Sequence, residues 1–260
     1  MRTKPISLET MGHHPSKHTA SEKTLFTDFC RAFESSKLPL AQRLQNFPRH
    51  ARRQDISRFL AKYEIFQKIL RVHGNIVECG VFAGGGLLSW LHFSSILEPF
   101  NHTRKIIGFD TFQGFPGLHS KDTKTGSSNH LHKGAFHISN GIDDEIREIV
   151  KLHDQNRPLG HIPKIEICAG DACKTIPAYV EDHPSLLVSL LYLDFDIYAP
   201  TRAALEAFFP RIVKGGIVAF DELNCPEFPG ETAALLEAFD LKSVRLERTL
   251  LDPHISFFVK

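Results

Sequence analysis

The sequence predicts a doubly wound α/β fold, a mostly parallel sheet with helices on both faces, and three observations point to it. Five short apolar runs, NIVECG, KIIGFD, KIEICAGD, SLLVSLLYLDFD and GGIVAFDE, each end in acidic or glycine residues. The segments between them have crossover length, as βαβ units require. The first run leads straight into a glycine-rich turn and then into a helical stretch, the arrangement that places ligands beyond the carboxyl ends of parallel strands.

Taken in order, residues 1–18 are polar, bear histidines and show no period, which reads as a mobile tail. From Thr19 to about Lys37 an amphipathic helix is expected: Thr19 and Glu22 form a capping box, and Leu25, Phe26, Phe29 and Phe33 recur at helical spacing. Residues 19–53 are read as an N-terminal helical lid. Over residues 1–53 ten Lys and Arg stand against four Asp and Glu. A solvated face accounts for that excess, and a site for an anionic group of a substrate is the sharper alternative. Arg52 and Arg53 are candidates for such a group. The next helix spans about Gln54 to Val72, with one stripe of Ile56, Phe59, Leu60, Tyr63, Phe66, Ile69 and Leu70 and with Gly74 as its cap. It opens the main domain, 54–260.

Between the fourth and fifth runs lies one crossover helix, Pro200 to Ile212, closed by Lys214, Gly215 and Gly216, so those two strands are expected to be parallel and adjacent. The final runs, SVRLERTLL and HISFFVK, are separated only by Asp252 and Pro253 and read as an antiparallel edge hairpin. The long polar stretch from Gly117 to Gly141, with His119, His130, His132 and His137, is either a functional lid or disordered.

Composition narrows the function. With 42% hydrophobic and 23% charged residues the chain can build a core. A net charge of +1 gives no general reason to bind nucleic acid or a membrane surface. No apolar stretch approaches membrane-spanning length and the first residues carry no apolar signal core, so a cytoplasmic protein is expected. Cys30, Cys79, Cys168, Cys173 and Cys225 are scattered and odd in number, which suits buried thiols better than disulfides, and no second pair accompanies Cys168 and Cys173 to make a zinc site.

The glycine turn decides between cofactors. A dinucleotide site needs a glycine at the second position of G-x-G-x-x-G; counted from Gly80 that position is Phe82. S-adenosylmethionine fits better, because it lacks a phosphate and its amino-acid end carries an ammonium. Glu78 stands where that ammonium is recognised, while Gly80, Gly84, Gly85 and Gly86 let the chain bend around the ligand. Asp110 ends the second strand where ribose hydroxyls are expected, and Asp171 ends the third near the adenine amino group; either acid alone also serves as a helix cap. The candidate cofactor-binding set is Glu78, Gly80, Phe82, Gly84, Gly85, Asp110, Thr111, Asp171 and Ala172.

A carboxylate cluster follows. Asp194 and Asp196 end the fourth strand, and Asp221 and Glu222 end the fifth, at the same edge as the cofactor. Packed anions require protonation, a basic partner or a cation. Three oxygen ligands, Asp194, Asp221 and Glu222, suit Mg²⁺. The competing reading has Asp196 or Glu222 capping a helix and Asp221 paired with Lys214 or Arg211.

With these residues in hand, the chain resembles the macrocin O-methyltransferase family of S-adenosylmethionine-dependent enzymes, in particular its dTDP-6-deoxyhexose 3-O-methyltransferase branch. The likeness runs from about Arg52 to the C-terminus and rests on ECGVFAGGGLLSW, RKIIGFDTFQGFP, NRPLGHIPKIE, SLLYLDFDIYAPT, KGGIVAFDELN and FPGET. The resemblance implies a seven-stranded, Rossmann-like class I methyltransferase fold, Mg²⁺ on Asp194, Asp221 and Glu222, and a sugar hydroxyl as acceptor. Family members often carry Asp-Asp where this chain has Asp221-Glu222. Because a hydroxyl must lose its proton as it attacks, Asp194 is the candidate general base. Phe112, Phe115 and Tyr198 are candidate apolar walls, and His130 or His132 a second base or a donor to a diphosphate. The expected partner is a small-molecule sugar or sugar nucleotide, the expected assembly a homo-oligomer. Two other readings stay open: a metal-dependent catechol or phenol O-methyltransferase, and a non-enzymatic binding module on the same fold.

Overall fold

The computed structural model describes residues 19–123 and 127–260, so the tail expected over residues 1–18 lies outside the described residues. The chain divides into two compact units at Leu60/Ala61. The first holds α1 (Ala20–Glu34), α2 (Leu40–Gln45), a 3-10 turn at Phe47–Arg49 and the start of α3 (Arg53–Ile69). The capping box forms as expected: Glu22 N donates to Thr19 Oγ1 at 3.3 Å and Thr19 N donates to Glu22 Oε2 at 2.7 Å. Arg52 lies 2.6 Å from Asp55 and 4.2 Å over the Phe26 ring, so its guanidinium is engaged within this unit.

The second unit is a seven-stranded sheet in the order β3-β2-β1-β4-β5-β7-β6. Its strands are β1 (Asn75–Cys79), β2 (Ile106–Asp110), β3 (Ile165–Ala169), β4 (Val188–Leu193), β5 (Ile212–Phe220), β6 (Glu247–Arg248) and β7 (Ser256–Val259). The first five are parallel, and β7 runs antiparallel between β5 and β6. The helices are α4 (Gly85–Leu97), α5 (Ile142–Gln155), α6 (Ala172–Asp182), α7 (Tyr198–Phe208) and α8 (Gly230–Ala238). The doubly wound expectation therefore holds. The edge hairpin also forms, but β6 is only two residues long. Thr249 ends it, donating from Oγ1 to Asp252 O at 2.7 Å, and the apolar run continues as a turn with Leu250 exposed.

Alternation along the strands divides the core in two. Ile76, Leu190, Tyr192, Ile217 and Ala219 face α3 and α4 through Ile65, Phe66, Leu87 and Trp90. Val77, Cys79, Leu191, Leu193, Val218 and Phe220 face α6, α7 and α8 through Ile176, Leu205, Phe208 and Leu235. Each Val, Leu, Ile or Phe among them contributes about 1.5–3 kcal/mol on burial. Two-sided burial explains why these runs read as continuously apolar.

The described parts of the 117–141 stretch pack on this domain. Asp122 is buried and accepts from Tyr198 N, at the start of α7, and from His119 N, both at 2.7 Å. Ser128 N donates to Glu227 O at 2.9 Å, and Phe115, Ala135 and Ile197 form a small apolar cluster. The NRPLGHIPK motif is also structural, since Arg157 donates to Ile162 O at 2.6 Å and pairs with Asp154 at the end of α5.

At the opposite end of the sheet Arg104 is buried. It donates to the carbonyls of Val72 and Gly74 at 2.9 Å and of Ile69 at 3.2 Å, and its Nε lies 2.8 Å from Glu98 Oε1. It ties the end of α3 to the start of the sheet. Replacing it leaves Glu98 without its ion-pair partner and several carbonyls without their charged donor. Arg104→Met is expected to lower unfolding stability by about 3–5 kcal/mol, read from urea denaturation.

Candidate active site

The strand order reverses between β1 and β4, and the crevice outside the strand ends at such a reversal is where ligands bind in open α/β sheets. There the glycine turn and the fourth strand nearly touch. Asp194 N donates to Cys79 O at 2.7 Å, and a Cβ on Gly80 would lie 1.9 Å from Asp194 O. With φ at +95°, Gly80 is required on both counts.

Beyond it the turn is braced by Asp110. Oδ2 accepts from Val81 N and Phe82 N at 2.8 Å each, and Oδ1 accepts from Phe112 N at 2.7 Å. A carboxylate has about four lone-pair positions, so one remains for a hydroxyl donor. Phe82 adopts φ 51°, a left-handed conformation rare for a side chain this large, and its ring is partly exposed. Thr111 Oγ1 donates to Gly114 O at 2.6 Å and shapes the turn after β2. Gly84 caps α4 at φ 84°; an added Cβ on Gly85 meets nothing within 4 Å, whereas one on Gly86 would lie 1.8 Å from Glu78 Oε1. Glu78 is 1% exposed, with Lys62 Nζ 3.8 Å from its Oε1. Asp171 caps α6, accepting from Cys173 N at 3.1 Å, and Ala172 is buried behind it. The residues fit S-adenosylmethionine: an open glycine cradle at Gly85, a buried acid beneath it and a second acid at the ribose position.

The two acidic strand ends stand side by side. β4 and β5 pair through Leu193 and Phe220, and Asp221 N donates to Leu193 O at 2.9 Å. Asp221 is buried and accepts from Tyr192 Oη at 2.6 Å. Glu222 Oε2 lies 4.0 Å from His254 Nδ1. The helix-cap alternative does not hold for Asp196 or Glu222, because Ile197 and Pro229 occupy the cap positions of α7 and α8. Nor does pairing with Arg211 or Lys214 account for Asp221, since both belong to the opposite end of β5. Burial pushes the Asp196 carboxyl well up, and Asp194, Glu222, Glu231 and Asp221 push the same way.

Glu231 has no counterpart among the sequence-derived site residues. It is fully buried in the first turn of α8 and accepts from Phe195 N at 3.2 Å, Asp196 N at 3.3 Å and Glu222 N at 3.1 Å, joining both acidic strand ends. Burial and then Asp194 and Asp221 push its carboxyl well up. Its signal lay in the FPGET motif. Tyr192 was likewise hidden in an apolar run.

This donor set, oxygen-only and rich in mutually repelling carboxylates, fits a hard divalent cation in its chemistry. Its geometry is not a closed metal cage: among the described residues no group of three His, Cys, Asp or Glu side chains is arranged to hold an ion. No helix among the described residues is long and apolar enough to cross a membrane.

Topology and site together define a class I, S-adenosylmethionine-dependent methyltransferase fold. The TylF family model, described as macrocin-O-methyltransferase, matches residues 53–238, and the chain belongs to that family. In structure it is similar to CalS11, calicheamicin methyltransferase, at 30% identity and a TM-score of 0.89, covering 95% of this chain and 97% of that one. An apo structure of CalS11, described as a TDP-rhamnose 3'-O-methyltransferase, superposes at a TM-score of 0.80 and 29% identity over 93% and 96% of the two chains. A curated relative from Streptomyces olivaceus, 8-demethyl-8-(2,3-dimethoxy-alpha-L-rhamnosyl)-tetracenomycin-C 4'-O-methyltransferase, is 27% identical over 58% of this chain. The match spans 53% of that relative's length.

Glu231→Ala would orphan three backbone N–H groups between the two acidic strand ends. A loss of roughly 3 kcal/mol or more is expected, at about 1–3 kcal/mol for each unsatisfied buried donor, measured by urea unfolding.

Proposed function

We propose that this protein transfers the methyl group of S-adenosylmethionine to a hydroxyl of a deoxyhexose, carried on a nucleotide diphosphate or already attached as a glycoside, with the 3-hydroxyl as acceptor. One observation carries the reading: the glycine turn over Glu78 and the acidic ends of β4 and β5 meet at the strand reversal, with Gly80 against the Asp194 backbone. Similarity to a TDP-rhamnose methyltransferase over nearly the whole chain supports a sugar over a catechol acceptor.

The residues divide the work. Glu78 meets the ammonium of the cofactor, Asp110 offers its remaining lone pair to a ribose hydroxyl, and Asp171 and Ala172 border the adenine. Asp194 takes the proton of the acceptor hydroxyl as its oxygen attacks the methyl carbon and the sulfur–methyl bond breaks. The displaced thioether is neutral, so alignment and exclusion of water supply much of the acceleration and no covalent enzyme intermediate is needed. If Mg²⁺ binds at this edge, Asp194, Asp221 and Glu222 are its oxygen donors, though as placed they are not arranged around an ion, and the ion would supply Lewis acidity and orientation for the hydroxyl. Tyr192 fixes Asp221, and Glu231 fixes the backbone that carries Glu222.

Asp194→Asn is expected to abolish turnover of dTDP-deoxysugars while S-adenosylhomocysteine affinity by calorimetry stays within about threefold of the parent; a turning-over variant removes the base assignment. Product analysis by NMR over a panel of dTDP-deoxysugars, glycosides and catechols, with Mg²⁺ or chelator, should show a methylated 3-hydroxyl that depends on the ion. Methylated catechol, or chelator-resistant turnover, would refute the corresponding part.

A further inference from the structure

Within β1 the side chains of Ile76 and Glu78 share a face with Leu190 and Tyr192 of β4, and Glu78 and Tyr192 are register partners. That face is otherwise an apolar layer under α3 and α4. Lys62 of α3 descends into it, only 4% exposed. Its Nζ lies 3.8 Å from Glu78 Oε1, 3.7 Å from the centre of the Tyr192 ring and 5.5 Å from that of Trp90. An ammonium is tolerated in such a layer only when an acid and aromatic faces offset its lost hydration. On its other side Glu78 abuts the first turn of α4, as the 1.8 Å approach of a Gly86 Cβ to Oε1 shows. The acid is thus gripped between a buried cation and the glycine turn.

We propose that Lys62 is a positioning residue for cofactor binding: it anchors the Glu78 carboxylate from the core side and so fixes it for the ammonium end of S-adenosylmethionine. This rests on Glu78 meeting that ammonium. A lysine in this place holds the acid without competing for space in the ligand crevice, because it reaches Glu78 through the core rather than from solvent.

The test uses the full chain and two ligands, S-adenosylhomocysteine and 5'-methylthioadenosine, which lacks the amino-acid end. Calorimetry is run on the parent, Lys62→Met, Lys62→Arg, Glu78→Gln and the Lys62→Met/Glu78→Gln pair. Lys62→Met and Glu78→Gln should each weaken S-adenosylhomocysteine about tenfold or more and leave methylthioadenosine within about threefold, as loss of a charged contact to one end of the ligand requires. Lys62→Arg should retain affinity, and the double variant should bind no worse than the weaker single, since the two residues act as a unit. If Lys62→Met does not fold, the double variant and Lys62→Arg decide: a double variant that binds S-adenosylhomocysteine like the parent overturns the proposal. Equal weakening of both ligands in Lys62→Met makes Lys62 merely structural and overturns it, as does parent-like binding by Lys62→Met beside a weakened Glu78→Gln; in that last case the cofactor reading survives. A parent protein that binds neither ligand removes the cofactor reading and the proposal with it, whereas an unaffected Glu78→Gln removes the Glu78 contact, and the proposal that rests on it, while cofactor binding itself stands.

Discussion

Crowded negative charge at the ends of β4 and β5 is the constraint around which this end of the second unit is built. Two carboxylates 4 Å apart repel by about 4 kcal/mol at an effective dielectric of 20, several times the net worth of one hydrogen bond. Backbone N–H groups on Glu231 and the Tyr192 hydroxyl on Asp221 therefore orient the acids but do not neutralise them. A proton or a cation must complete the balance. The upward push on Asp196 and Glu231 expresses the first alternative, and the proposed Mg²⁺ the second.

The cofactor side obeys a different economy. Its acids lie on or just beyond the ends of three strands, and each has a partner within the protein: Asp110 in three amides, Asp171 in the start of α6, Glu78 in Lys62. The Asp110 bonds give the glycine turn its shape. Tyr192 links the two halves, because its ring lies under Lys62 while its hydroxyl reaches Asp221.

Most of this architecture was legible in the residues. Apolar runs ending in acids marked β1, β2, β4 and β5 because both faces of those strands are buried, β3 being the half-exposed edge of the sheet, and the glycine turn and Asp194 fell at the reversal because strand ends gather there. The capping box was legible because its partners are three residues apart. What escaped depends on distant contacts. Lys62 is one polar residue within the stripe of α3, and nothing local says that it points inward. Glu231 looks like an ordinary acid in a first helical turn until the chain brings Phe195, Asp196 and Glu222 to it. Asp122 belongs to a polar stretch whose packing becomes visible only once α7 presents its first amide. Asp110 and Asp171 show the reverse case, where a ligand-like position also has a local structural task.

The C-terminal hairpin ends the sheet abruptly. β6 pairs with β7 through Glu247 and Arg248 alone, then turns at Thr249. An outer strand of two charged residues offers a passing chain almost no ladder of free amides and carbonyls to extend. The buried parallel strands, whose apolar runs would otherwise be sticky templates, are shielded on that flank from edge-to-edge aggregation.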